Sequence, residues 1–178
     1  MADSTNLALS LALVWAGVAA VLDIAYRKIP NWLTYSGIVA GLALRFAWLG
    51  PSGLWTGLAG GLFAGGIFAA FFLVRAMGGG DVKLMTALGC MVGFQDSIQL
   101  LVATAIAGGV LAVLFMIFKR RVGTTLKNVG SILKHHATSG VREHPSVNLD
   151  NPQAARMPYG VAIAAGALYC FSVAMFWR

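Results

Sequence analysis

Apolar residues fill the chain in long runs that are separated by short polar stretches. Four runs carry no charged residue and approach or exceed the roughly 20 residues that cross a bilayer as a helix; they are residues 4–22, 54–74, 97–118 and 157–177. Residues 32–49 form a fifth candidate if Arg45, close to the end of the run, reaches the interface with its long side chain. Residues 84–95 would rise only about 18 Å as a helix, so this sixth segment either starts below the membrane surface or belongs to a re-entrant hairpin. The pattern predicts an all-α, polytopic membrane bundle of about six transmembrane helices.

Composition supports a membrane protein. Hydrophobic residues make up 58% of the 178 residues and charged residues only 11%, whereas about 25% of a soluble domain is charged. Such a chain cannot cover a water-facing surface, and it is too apolar for disorder. Two cysteines exclude a disulfide-rich secreted scaffold. We expect one membrane domain over residues 1–178.

The net charge of +7 does not indicate nucleic acid, because the basic residues fall in short gaps between apolar runs. Cytoplasmic loops are enriched in Lys and Arg. Six crossings with the N-terminus outside place most basic residues in the cytoplasm, and the turn near Asp96 is needed for this arrangement. Met-Ala-Asp-Ser supplies no positive charge before the first run, so we interpret that run as a retained anchor. The cytoplasmic set is Arg27, Lys28, Arg75, Lys83, Lys119, Arg120, Arg121, Lys127, Lys134, Arg142 and Arg156.

The polar loop 119–156 is the only long stretch outside the predicted spans. Apolar residues recur in it at helical spacing, which predicts a helix lying on an anionic membrane surface, although a linker is the alternative. Its three histidines match no common metal site, and we expect neither a metal nor a cofactor. The helical set is Val122, Leu126, Val129 and Leu133, and the histidines are His135, His136 and His144.

Glycines recur every four residues within several predicted spans. Small residues at this spacing let helix backbones approach closely in a membrane, so they predict a tightly packed bundle. The repeats are Gly57, Gly61 and Gly65; Gly37 and Gly41; and Gly89 and Gly93.

Six acidic residues are the main candidates for chemistry, and the predicted topology sorts them. Asp3 and Asp96 fall on the outer side, and Glu143 and Asp150 lie in the polar loop. Asp23 and Asp81 remain, both at the cytoplasmic boundary of predicted helices. A carboxylate at such a position is costly and is a functional hypothesis by default.

The neighbours of these two acids suggest a site. Asp81 follows three glycines, residues 78–80, which leave room for another backbone and have free access to positive φ. Beyond Asp23, Pro30 stops a helix and Asn31 can cap the next one. Two carboxylates within a few Å share one proton, as the acid–base pair of an aspartic peptidase does. The alternative is that the two acids are separate caps that never meet.

Three segments resemble one known family. Gly78-Gly79-Gly80-Asp81-Val82-Lys83-Leu84 resembles the GxGD signature of membrane aspartyl peptidases in the form found in type IV prepilin peptidases. Asp23 followed by Ile29-Pro30-Asn31 resembles the first catalytic segment of that family. Met157-Pro158-Tyr159-Gly160 resembles its Pro-aromatic-Gly motif before the last span.

The resemblance implies an endopeptidase of the bacterial inner membrane that removes the short basic leader of prepilins or pseudopilins at the cytoplasmic face. Asp23 and Asp81 correspond to its catalytic pair, and Gly78 and Gly80 to the loop that shapes the site. Lys83 matches the motif and either tunes the pair or anchors at the headgroups. Pro158, Tyr159 and Gly160 are further candidates for shaping the site or binding substrate. Substrate and lipid are the expected partners.

Longer members of this family carry a zinc-binding domain with paired CxxC motifs and also N-methylate the new terminus. The only cysteines of this chain, Cys90 and Cys170, lie inside predicted spans, so the chain resembles the short, peptidase-only form of Flp or Tad pili. A small proton- or cation-coupled transporter and a non-enzymatic assembly factor are the competing interpretations. The peptidase hypothesis predicts that the two carboxylates lie within about 10 Å of each other in the resting protein.

Overall fold

The computed structural model describes residues 2–118 and 157–177. Throughout these two ranges the regular structure is helical, in five elements. They are α1 (Ala2–Tyr26), α2 (Asn31–Leu73), α3 (Gly79–Val92), α4 (Phe94–Phe118) and α5 (Tyr159–Trp177). All but α3 are long and apolar enough to cross a membrane. The predicted all-α membrane bundle is confirmed, whereas the expectations for loop 119–156 and its histidines concern residues outside those described.

Helix α2 combines two predicted spans and reverses direction between them. Gly50 has φ 63° and ψ −150°, a conformation that essentially only glycine adopts, and Pro51 follows it. Beyond this point the chain folds back: a Cβ placed on Gly57 would lie 3.1 Å from the Arg45 side chain and 3.2 Å from Leu42. The two arms, residues 31–49 and 51–73, therefore form an antiparallel helical hairpin.

Helix α3 is the short sixth segment of the sequence prediction, and it forms the centre of the bundle. Eight of its 14 residues are buried, and it would span only about 21 Å. The turn predicted near Asp96 is made by Gly93, with φ 83°, and Asp96 lies in the first turn of α4. Glycine permits the positive φ that this sharp turn requires.

Glycines line the contacts of α3 with the α2 hairpin, as their spacing predicts. Gly61 faces Cys90 and Gly65 faces Thr86, so the second arm runs antiparallel to α3. A Cβ at Gly41 of the first arm would lie 2.8 Å from Met91. These approaches leave no space for larger side chains, and the predicted close packing is confirmed.

Helix α5 packs between α1 and α4 and runs antiparallel to both. Gly160 lies against Asp23 of α1, and Tyr159 lies against Gly108 of α4. The start of α3 meets the start of α2, where Gly80 contacts Ile29. These contacts bring residues 23–31, 78–83 and 158–160 to one end of the bundle, which we call the aspartate end. Residues 45–56 and 91–96 lie at the opposite end, the arginine end.

Candidate active site

Asp23 lies in the last turn of α1 and is only 8% exposed. The backbone N–H of Gly160 donates a hydrogen bond to its Oδ2 at 2.9 Å. This N–H belongs to the first turn of α5, where amides have no partner within the helix and carry partial positive charge. The start of α5 therefore holds the Asp23 carboxylate in place.

Asp81 lies in the first turn of α3 and is partly buried. Its Oδ2 accepts a hydrogen bond from the N–H of Gly78 at 3.2 Å, and its own N–H donates to the Gly78 carbonyl at 3.1 Å. This reciprocal pair fixes the carboxylate at the start of the helix.

The glycines before Asp81 provide space but not positive φ. Gly78 has φ −80°, and among the described glycines only Gly50 and Gly93 have positive φ, so the run does not use the positive φ that is open to it. A Cβ at Gly80 would lie 3.1 Å from the Cβ of Ile29. The lack of side chains thus lets the start of α3 pack closely on the turn that follows α1.

The charges of Asp23 and Asp81 act on each other. Burial, and to a lesser extent the negative charge of Asp23, raise the pKa of Asp81 from 3.8 to about 6, while the hydrogen bond from Gly78 opposes the shift. Asp81 is outside the four membrane-spanning segments. A raised pKa is what a carboxyl group needs in order to hold a proton near neutral pH and act as a general acid.

Tyr159, at the start of α5, lies close to the site, and Pro158 comes directly before it. The phenol ring of Tyr159 packs on Gly108 and makes an edge contact with Phe68, at 6.0 Å between ring centroids. Tyr159 is also within electrostatic reach of Asp81. The Pro158 carbonyl accepts a hydrogen bond from the N–H of Val161 at 3.3 Å and so closes the first turn of α5.

Lys83 is hydrogen-bonded to Asn31, a partner that the sequence did not indicate. Its Nζ donates to Oδ1 of Asn31 at 2.9 Å and lies 5.4 Å from the centre of the Tyr35 ring. The expectation that Asn31 caps α2 was wrong: Pro30 occupies the cap position, and no side chain makes a capping hydrogen bond there. The Asn31 side chain is used between helices instead.

The described residues offer no cluster of three or more His, Cys, Asp or Glu side chains that could hold a metal. What the aspartate end provides is a pair of carboxylates whose surroundings differ. Asp23 is buried against the start of α5, and Asp81 is more open and has a raised pKa. Both lie at helix ends rather than mid-helix, whereas transporter sites usually lie near the membrane midplane. Such a pair can perform acid–base chemistry on a bound molecule.

Fold and site together define a class of protein: a polytopic helical membrane protein with two interacting carboxylates at one end of the bundle. The chain belongs to the type IV leader peptidase family, which it matches over residues 10–113. This range includes both Asp23 and Asp81 and ends before α5. The family part of the sequence interpretation is thereby confirmed.

The chain is similar to the prepilin peptidase EppA of Methanothermobacter thermautotrophicus. The two are 38% identical over 96 residues, which cover 52% of this chain and 25% of that protein. The match thus spans about a quarter of the relative's length. No solved structure matches the chain.

Proposed function

We propose that the protein is a membrane aspartic endopeptidase that removes the short basic leader of prepilins or pseudopilins at the cytoplasmic membrane face. The observation that carries this proposal is the meeting of Asp23 and Asp81 at one end of the bundle, within the segment that matches the leader peptidase family. These acids come from helices far apart in sequence, and α5 completes the site through Gly160. The similarity to a protein named prepilin peptidase supports the choice of substrate.

In the proposed mechanism, the two acids have different roles. Asp23, which accepts the Gly160 N–H, is the general base: its carboxylate takes a proton from a water molecule as the water oxygen attacks the scissile carbonyl carbon. Asp81, with its raised pKa, donates its proton to the carbonyl oxygen. The resulting gem-diol collapses as the C–N bond breaks, and the leaving nitrogen receives the proton held by Asp23. The carbonyl then re-forms and returns a proton to Asp81.

Charge supports a cytoplasmic location for the aspartate end. The turn after α1 carries Arg27 and Lys28, the connection before α3 carries Arg75, and Lys83 follows Asp81. Basic residues mark the cytoplasmic side of membrane proteins. Residues 119–156, which hold seven further basic residues, connect the end of α4 to the start of α5. The end of α4 and the start of α5 lie on the same side of the bundle as the two acids.

The proposal is tested by coexpressing the protein with a candidate prepilin and following leader removal. We expect Asp23→Asn and Asp81→Asn each to leave the prepilin uncut, because amides can neither take nor give the proton. Asp96→Asn at the arginine end is the matched control and should process normally. Full processing by either of the first two variants, at equal protein levels in the membrane, would refute the assigned mechanism.

A further inference from the structure

Two turns meet at the aspartate end through contacts that do not involve the carboxylates. The start of α3 packs on the turn before α2, with Gly80 against the buried Ile29. One helical turn further along α3, the ammonium of Lys83 is hydrogen-bonded to the side chain of Asn31 at 2.9 Å. The same ammonium faces the ring of Tyr35, at 5.4 Å from its centre. A charge-assisted hydrogen bond and a cation–π contact thus act at one joint.

We infer that Lys83 and Asn31 are positioning residues: their hydrogen bond fixes the first turn of α3 on the start of α2 and so sets the position of Asp81 relative to Asp23. This inference rests on the proposed peptidase function. It assigns a role to Asn31. It also gives Lys83 a mechanical role, in place of direct electrostatic tuning of the two acids.

The direction of the Lys83 side chain separates these two roles. Residues two apart on a helix do not face each other, so Lys83 and Asp81 leave α3 on different sides. The Lys83 ammonium lies against α2, where it donates a hydrogen bond to Asn31 and faces the Tyr35 ring. The Asp81 carboxylate instead accepts the N–H of Gly78.

The link from Asn31 back to Asp23 is short and stiff. The N–H of Arg27 donates to the Asp23 carbonyl at 2.9 Å and ends α1. Ile29 is only 6% exposed, and Pro30 has its φ fixed by its ring, at −68°. Since this turn has little freedom, whatever holds α3 on Asn31 also holds Asp81 at a set distance from Asp23. A displacement of about 1 Å in a catalytic group can lower a rate by up to about 100-fold.

The hydrogen bond is water-exposed, so its contribution to folding is small. We therefore expect Lys83→Met and Asn31→Leu to fold and each to lower kcat by roughly 10-fold, with KM nearly unchanged. The double variant should be no slower than either single variant, because both remove the same contact. Lys83→Arg and Asn31→Asp retain a donor or an acceptor and should recover most of the rate.

The experiment measures kcat, KM and their pH dependence in membrane vesicles with a prepilin substrate. Lys28→Met, which removes an exposed lysine from the neighbouring turn, is the matched control and should cleave at the wild-type rate. The apparent constants of the pH profile should be the same in Lys83→Met as in the wild type. A shifted profile in Lys83→Met, together with an unaffected Asn31→Leu, would instead show that Lys83 tunes the acids electrostatically and overturn the inference.

Hydrogen exchange gives a readout that does not require cleavage. Amides of residues 78–83 should exchange faster in both Lys83→Met and Asn31→Leu, and unchanged exchange contradicts the joint. A wild-type protein that fails to cleave any prepilin refutes the proposed function. Two results would refute only the positioning role, provided that the wild type cleaves. One is that the single variants cleave as fast as the wild type. The other is that the rate losses of the two single variants multiply in the double variant.

Discussion

A basic side chain attaches each end of α3 to α2. Arg45 of α2 holds the last turn of α3, and Lys83 of α3 holds the start of α2. The two attachments differ in strength. At the arginine end, Arg45 donates to the Val92 carbonyl at 2.8 Å and the Met91 carbonyl at 3.4 Å. It also donates to the Gly53 carbonyl at 3.3 Å and to Oγ1 of Thr56 at 2.9 Å. At the aspartate end, the hydrogen bond that Lys83 makes within the described residues is to Asn31.

This difference follows from what each end has to do. A helix leaves its last carbonyls without partners, and α3 is too short to bring them to the membrane surface. Arg45 satisfies two of them with a planar group that carries five N–H donors. At the aspartate end, by contrast, the three glycines and Asp81 beside them are only partly buried. Under the proposed function, the arginine end of α3 contributes stability and the aspartate end contributes the chemistry.

Replacing Arg45 should produce the largest effect. Arg45→Leu leaves the Met91 and Val92 carbonyls without their donor, at about 1–3 kcal/mol for each unsatisfied buried group. We expect a loss of roughly 3 kcal/mol in the free energy of unfolding, measured by denaturant titration in detergent micelles. Arg45→Lys keeps the charge but not the planar fork, so its loss should be intermediate. An unfolding midpoint equal to that of the wild type for Arg45→Leu would show that the two ends do not differ as described.

Gly160→Ala tests the opposite end, where activity rather than stability should suffer. The added Cβ would lie 3.1 Å from Oδ2 of Asp23 and 3.3 Å from Ala20, so the carboxylate has to shift. We expect kcat to fall at least about 10-fold, with a change in unfolding free energy of about 1 kcal/mol or less. Gly66→Ala, at a position with nothing within 4 Å, is the control and should be neutral in both assays. Normal cleavage by Gly160→Ala would contradict the placement of Asp23.

The smallest effect concerns the proton on Asp81. Activity should fall as pH rises through about 6, because Asp81 must be protonated to act as the acid. Asp23→Asn removes the negative charge that contributes to the raised pKa of Asp81, whereas burial of Asp81 remains. The pKa of Asp81 should therefore decrease but stay above 3.8. Carboxyl ¹³C NMR of labelled aspartate would follow the titration in both proteins. An Asp81 pKa that does not change in Asp23→Asn would mean that the acids do not interact.

The sequence was sufficient to propose the two acids as a pair because they are marked locally. Acidic residues are scarce in this chain, and Asp81 follows three glycines. The helices and the glycine contacts of α3 were also predictable, since apolar length and small-residue spacing are properties of short segments.

The partners of the basic residues were not predictable. Lys83 and Asn31 are 52 positions apart, and Arg45 reaches Val92 across 47 positions. Local patterns favoured a helix cap for Asn31, whereas its side chain instead accepts a hydrogen bond from Lys83 of α3. The contacts of Lys83 and Arg45 depend on how α3 packs against the two arms of the α2 hairpin, and the sequence of a single segment does not reveal that packing.

The most direct test of the central claim is a comparison of cleavage rates for four purified proteins in lipid nanodiscs with one synthetic prepilin peptide: the wild type, Asp23→Asn, Asp81→Asn and the double variant. Residues that act as a unit have strongly non-additive effects. We predict that each single variant loses nearly all activity and that the double variant is no slower than either. A single variant that cleaves at the wild-type rate, or two partial losses that multiply in the double variant, would contradict a shared catalytic pair.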